Sequence, residues 1–214
     1  MSTLCSTFVN KCISAQCDNQ LYAGVAPEAL LINYDHITSK TINGSLVTGI
    51  NLGDNCAYCV QQLSRNPYEG SQVEMTEGTY GNRFTRTWAF AVNDNGPVAS
   101  DIVTALANGR FVAIMKSDYV HTAEDAANDP DITAGDNKYL VYGIAKGLRA
   151  SSIVRELYGD NESAYIVTMT EEGAPTAEHY FFVTDESTTD SAYEALKCDC
   201  CTEDGDQGNQ GTQG

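Results

Sequence analysis

Residues 138–170 read KYLVYGIAKGLRASSIVRELYGDNESAYIVTMT, and their pattern decides the fold class. Two runs rich in β-branched and aromatic residues, 139–144 and 165–169, flank a polar middle. Runs of that kind bounded by glycine and polar turns read as strands. Lys146-Gly147 reads as a bend and Gly159-Asp160-Asn161-Glu162 as a polar excursion. Gly143 and Gly147 stand where a chain takes positive φ or brings two backbones close. A third strand is expected over 178–183, after a turn at Glu172-Gly173, and a short helix over 187–197.

The same texture continues upstream. ALLINYDHI (29–37), SLVTGINL (45–52), AYCVQQL (57–63) and RFTRTWAFAV (83–92) are strand-like. Asn43-Gly44, Gly53-Asp54-Asn55, Asn66-Pro67 and Tyr80-Gly81-Asn82 supply the turns between them. The alternation from Phe84 to Trp88 gives one face to the core and one to solvent, with Trp88 read as core. Arg110–Met115 reads as a buried strand. One main helix is predicted over about 98–108. Pro97 precedes it, Ser100 is the candidate N-cap with Asp101 in the first turn, Leu106 lies on its apolar stripe, and Asn108-Gly109 ends it. The fold class is therefore mainly β, a sandwich or barrel with one main flanking α-helix, a long acidic loop and extended termini. Residues 1–20 read as a cysteine-containing arm, 21–197 as the β domain, and 198–214 as a cysteine-rich then flexible Gly/Gln/Asp tail.

The 214 residues carry 29 acidic and 12 basic side chains, a net charge of −17. Such a surface repels phosphate, which argues against sequence-specific nucleic-acid binding but suits a wall along which DNA slides. No run is long enough to span a membrane, and the first residues lack a signal pattern, so synthesis in the cytosol as a soluble chain is expected. Between Asp118 and Asp136 there is no Lys or Arg.

Chemistry is sparse. None of the phosphate-loop, dinucleotide, nucleophile-elbow or zinc-protease motifs occurs, and His36, His121 and His179 have no partner at a recognisable spacing. No enzymatic activity and no cofactor are expected. The eight cysteines are the one chemical signal. Cys56 and Cys59 have the spacing of a zinc half-site that Cys198 and Cys200 would complete. The second cluster lacks knuckle spacing, so free thiols or late-forming disulfides are preferred over zinc. The acidic run 125–136 does not follow the order of a calcium-binding EF-hand loop.

The succession GRFVAIMKS (109–117), KYLVYGIAKGLRASS (138–152) and SAYIVTMTEEGAP (163–175) resembles virion structural proteins of tailed phages that infect Bacteroidetes, of the tail-tube type. The resemblance spans about 20–185 and rests on strands and glycines. It implies a self-assembling subunit, six to a ring, with inner strands closing a β-barrel whose acidic lumen conducts DNA. It further implies rings stacking into a tube, other virion proteins as partners, DNA as passing cargo, and a place in the virion tail after synthesis in the host cytoplasm. The cysteine-rich ends are not part of the pattern, which leaves a tail adaptor, a head–tail connector or a capsid decoration protein as alternatives. A secreted β-sandwich binding module is a further one. The loop 117–137 holds six acids, no bases and few apolar residues, so it is not expected to order itself by burying surface, and is expected to be mobile in the free subunit and ordered in the assembly. Tyr119, Val120 and Ile132 are its candidate contacts to a neighbouring subunit, with Arg83, Arg86 or Arg149 as partners for its acids.

Overall fold

The computed structural model describes residues 24–62, 68–78, 81–157 and 163–198. Their elements are, in chain order, β1 (Val25–Asn33), β2 (Ser39–Asn43), β3 (Leu46–Asn51), β4 (Tyr58–Gln61), β5 (Gln72–Thr76) and β6 (Arg83–Val92), then α1 (Pro97–Asn108), β7 (Phe111–Ser117) and α2 (Ala123–Asn128). β8 (Tyr139–Tyr142), β9 (Arg149–Arg155), β10 (Tyr165–Ala174), β11 (His179–Phe181) and α3 (Glu186–Ala195) complete them. Two sheets result: one of seven strands in the order β2-β3-β11-β8-β7-β1-β4, and one of four in the order β5-β6-β10-β9. Among the described residues neither sheet closes on itself.

The hydrophobic patterns explain the layers. β1, β7 and β8 read as unbroken apolar runs because both their faces are covered. Leu31, Ala113 and Met115 point toward the four-stranded sheet and meet Trp88, Phe90, Val167 and Met169. Leu30, Ile32, Ile114 and Val141 point the other way, into a second core with Val47, Phe181, Tyr193 and Leu196. Tyr193 and Leu196 reach it from α3 and the residue that caps it. β10 instead alternates, and so does β6 up to Trp88, before Ala89 and Phe90 are buried in succession. Full burial of a side chain such as Ile32 or Met169 contributes about 1.5–3 kcal/mol each.

Several local expectations change. The main helix begins at Pro97 with Gly96 as its cap, and the Ser100 N–H makes the first helical bond, to the Gly96 carbonyl. Pro97 sets that start because its fixed φ suits a first helical turn, so Ser100 is not the cap and Asp101 is not in the first turn. Gly109 ends the helix as expected. β2, β5 and β9 are polar edge or near-edge strands that hydrophobic periodicity did not reveal. The loop 117–137 is not without order of its own, because it contains α2.

Candidate assembly surfaces

The four-stranded sheet keeps one face to itself. Register places Thr87 beside Thr170, Ala89 beside Thr168, and Thr168 beside Ser152, and these alternate with the buried Arg86, Trp88, Val167 and Met169. The uncovered face therefore carries hydroxyl side chains together with Ile166 and Val154, Ala89 being buried on that side next to Gly70, with Glu74 and Arg149 near its two margins. Beyond the end of β5, the β6 edge is capped by side chains. Ser71 Oγ accepts from the Ala89 N–H, and the Gln62 amide both accepts from the Ala91 N–H and donates to the Ala91 carbonyl. Among the described residues that leaves β5 and β9 as the two margins of this sheet. Three successive antiparallel pairings make β9 run opposite to β5. Met75 on β5 and Val154 on β9 are exposed at 60% and 46%, so among the described residues each margin offers an apolar side chain as well as unpaired backbone.

The acidic loop is built from local bonds. Thr122 caps α2 by accepting from the Asp125 N–H, and Asp125 reaches back to the Thr122 N–H, a reciprocal capping box. Asp129 accepts from the Asp131 N–H, and Asp136 from the Thr133 N–H. The neck is tied by Asn137, whose side chain accepts from the His121 N–H and donates to the Tyr119 carbonyl. His121 Nδ1 lies 2.5 Å from Asp136 Oδ1. This pairing joins residues 15 apart at the two ends of a loop, a closeness that sequence spacing alone did not suggest. The candidate contacts Tyr119, Val120 and Ile132 are half-buried within the loop rather than fully presented. Tyr119 meets the His121 ring edge to face at 5.8 Å.

Arg86 is not available to the acids of any loop. It is fully buried and donates to Glu171 at 2.9 Å, to the carbonyls of Thr176 and Ala177, and to Thr176 Oγ1. Glu171 in turn accepts from the N–H groups of Gly143, Ala145 and Lys146. This fully satisfied pair fastens the bend 143–147 of one sheet to β6 and β10 of the other. The bend also needs its glycines. Gly143 and Gly147 have φ of +84° and +85°, and a Cβ at Gly143 would strike the Phe111 carbonyl. Arg83 and Arg149 are exposed.

The cysteines correct the zinc alternative. Cys56 and Cys198 form a disulfide across 142 residues, and Cys59 is disulfide-bonded as well, so these three sulfurs are not metal thiolates. Cys200 lies outside the described residues. Ala57 carries the reason for the closeness: its N–H donates to the Leu196 carbonyl and its own carbonyl accepts from Cys198, which lays the end of α3 beside the start of β4. Cys198 is therefore fastened to the β body rather than part of the tail 198–214. Among the described residues no three His, Cys, Asp or Glu are grouped to hold a metal ion, and no helix is long and apolar enough to cross a membrane.

Lys138 and Lys197 each sit between two carboxylates. Burial pulls the Lys138 ammonium down, but hydrogen bonds to Asp190 and Glu186 outweigh it and hold its pKa above the ordinary lysine value. Lys197 is raised in the same way by Glu28 and Glu194, against its own burial. Both tie α3 to the body. Against known proteins, no family model matches this chain, and no curated protein or solved structure matches it.

Proposed function

We propose that this chain is a phage virion structural protein, a tail-tube subunit that assembles into rings and conducts DNA. The observation that carries the reading is the four-stranded sheet, with one uncovered face carrying hydroxyl side chains and two margins that run antiparallel. In a ring of identical copies, β9 of one subunit would meet β5 of the next in the pairing used within the sheet, and the sheet would close into a barrel. Arg149 starts β9 and Glu77 lies just beyond the end of β5, so antiparallel pairing along the whole margin would bring these two together. The lumen would then be lined by Thr and Ser with Ile166, Val154, Gln72 and Glu74 among them, with phosphate repelled by the chain's net charge of −17 rather than by a dense acidic wall. The acidic loop, at the far end of β7 from the 143–147 bend, would make the contact between stacked rings. A head–tail connector or capsid decoration protein would use the same margins.

The test is negative-stain electron microscopy of the purified chain, with mass measured at high micromolar concentration. Rings or tubes are expected, favoured by added salt because screening relieves repulsion between acidic copies. Val154→Asp on β9 should leave the monomer folded and abolish rings. A strictly monomeric mass at every salt concentration sinks the reading. One observation favours a second reading, an exported β-sheet binding module. Disulfides such as Cys56–Cys198 persist in oxidising surroundings, which secreted proteins and released virions share. A monomer that binds glycans on the uncovered sheet face would support that alternative.

A further inference from the structure

A hollow of about 650 Å³ opens where the start of β1, the neck of the acidic loop and β11 meet. The four-stranded sheet does not cover this part of the larger sheet. Leu46 and Leu140 give the hollow an apolar floor, and Tyr119 and Tyr180 stand at its sides. Its charged groups are carboxylates, Asp136 and Glu178, with His121 beside Asp136, and none of the lining residues is a lysine or arginine. A third carboxylate, Asp118, lies against the α-carbon of Gly24 at the margin, in space that any side chain at position 24 would fill.

The two lining carboxylates are held but not used up. One oxygen of Glu178 accepts from the Tyr180 hydroxyl at 2.7 Å, while the other, among the described residues, has the Tyr142 hydroxyl at 3.5 Å. Asp136 is oriented by His121 and by the Thr133 N–H. Burial, then the hydrogen bond to Glu178, keeps the Tyr180 phenol neutral through the physiological range, so the wall it forms is an aromatic face with no charge of its own. Carboxylates over an apolar floor with tyrosine rings alongside are the surroundings an ammonium group seeks. Its N–H donors meet the oxygens, its charge meets the ring faces, and its alkyl chain covers the leucines. An anion would be repelled, and a neutral ligand of the same shape would gain nothing from the charge.

We propose that this hollow is a binding site for a small alkylammonium ion. The proposal is independent of ring assembly. Isothermal titration with n-butylammonium chloride at fixed ionic strength tests it, with n-pentanol as the neutral counterpart of similar size. Nα-acetyl-lysine amide is run beside them, to separate a free amine from a lysine side chain as the source of the ammonium; tighter binding of either one supports the class and names the source. A saturable single site for butylammonium is expected, at least about tenfold tighter than pentanol. Glu178→Gln should weaken it about tenfold, and Leu46→Trp should fill the floor and abolish it. Glu124→Gln, on exposed α2, should change nothing. Circular dichroism of each variant separates lost binding from lost folding, and Leu46→Trp carries the test if Glu178→Gln does not fold. Absence of saturable binding overturns the proposal. So does equal binding by the wild type and the folded pocket variants, which would mean diffuse attraction of cations to an acidic surface.

Discussion

Two irregular segments leave opposite ends of β8, and they are ordered in opposite ways. The bend 143–147 is held from outside, by one buried carboxylate, Glu171, that arrives from the other sheet already paired with Arg86. The loop 117–137 is held from inside, by Thr122, Asp125, Asp129, Asp136 and Asn137 bonding to its own backbone. The first arrangement needs the whole fold before any of it forms. The second needs only neighbours in sequence and costs little burial. A segment poor in apolar residues is thus not condemned to disorder when its polar side chains are spaced to cap and turn it. The consequences for stability differ as well, because damage to the bend is global and damage to the loop is local.

The sharpest way to break that comparison is at Glu171. Glu171→Ala would leave the Arg86 guanidinium buried without its counter-charge and remove the acceptor of three backbone N–H groups. A buried pair broken on one side costs about 3–5 kcal/mol, so urea denaturation should show the variant near or past the edge of folding. Replacing both partners, Arg86→Met with Glu171→Leu, should cost less than the sum of the two single changes, because neither leaves a lone charge. If Glu171→Ala unfolds within about 1 kcal/mol of the wild type, below the range for such pairs, the bend is not held in the way argued here.

Matched glycines sharpen the comparison further. Gly143 in the bend and Gly135 in the loop both have positive φ, +84° and +79°. A Cβ at Gly143 would meet fixed backbone, the Phe111 carbonyl and the Leu148 nitrogen, whereas at Gly135 it would meet the side chain of Glu186 at 2.9 Å. The Glu186 Cβ cannot rotate away either, but 2.9 Å is relieved by a slight shift at the start of α3, whereas 2.4 Å against the Phe111 carbonyl is not. Gly143→Ala should therefore cost about 3 kcal/mol or more, and Gly135→Ala about 1–2 kcal/mol, mostly the left-handed strain common to both. Thermal unfolding decides it, and equal losses would mean that the two segments are fastened alike.

Long-range fastening is what the sequence hid. The strand runs ALLIN, RFTRTWAFAV, GRFVAIM and YIVTMT announce themselves by apolar content, as does the helix ending at Gly109, and the need for glycine at 143 and 147 follows from the bend. β2, β5 and β9 carry SKTIN, QVEMT and RASSIVR, too polar to stand out, because at or near a margin they pack little. Arg86 shares the parity of Phe84 and Trp88, so the alternation itself points it inward, but nothing local reveals that Glu171 will meet it 85 residues later. Likewise, Cys56 and Cys198 become neighbours only when α3 folds back beside β4. The candidate hollow was illegible for the same reason: Leu46 comes from β3, Tyr119 and Asp136 from the two ends of the acidic loop, and Glu178 from the residue before β11. The local bonds of the acidic loop were hidden for a different reason. Composition counts its charges, while its order depends on where each Asp and Thr stands relative to the next N–H.

The smallest expected effect is a dependence on pH, confined to the bend's side of the comparison. His179 is buried beside the Arg86–Glu171 pair. Burial lowers its pKa below the ordinary histidine value, the Arg86 charge lowers it further, Glu171 partly opposes this, and Lys40 adds to the lowering. One ring nitrogen, Nε2, lies 3.3 Å from Thr176 Oγ1, and among the described residues Nδ1 has no hydrogen-bond partner. An imidazolium there would carry a proton with no acceptor. The unfolded chain binds that proton at about pH 6.5, while the folded chain resists it to a lower pH. Stability contributed this way is full above about pH 6.5 and is lost as pH falls through the window down to the folded value, by at most about 1.4 kcal/mol per pH unit. His179→Gln removes the titration, so its melting temperature should fall less than that of the wild type between pH 7 and pH 5. The carboxylates Asp185 and Asp190 titrate in the same direction, but with lowered pKa values, so their losses come below the ordinary aspartate range and outside this window. Parallel melting curves for the two proteins across that interval would show that His179 takes up its proton as readily when folded as when unfolded, and would remove it from the surroundings of the buried pair.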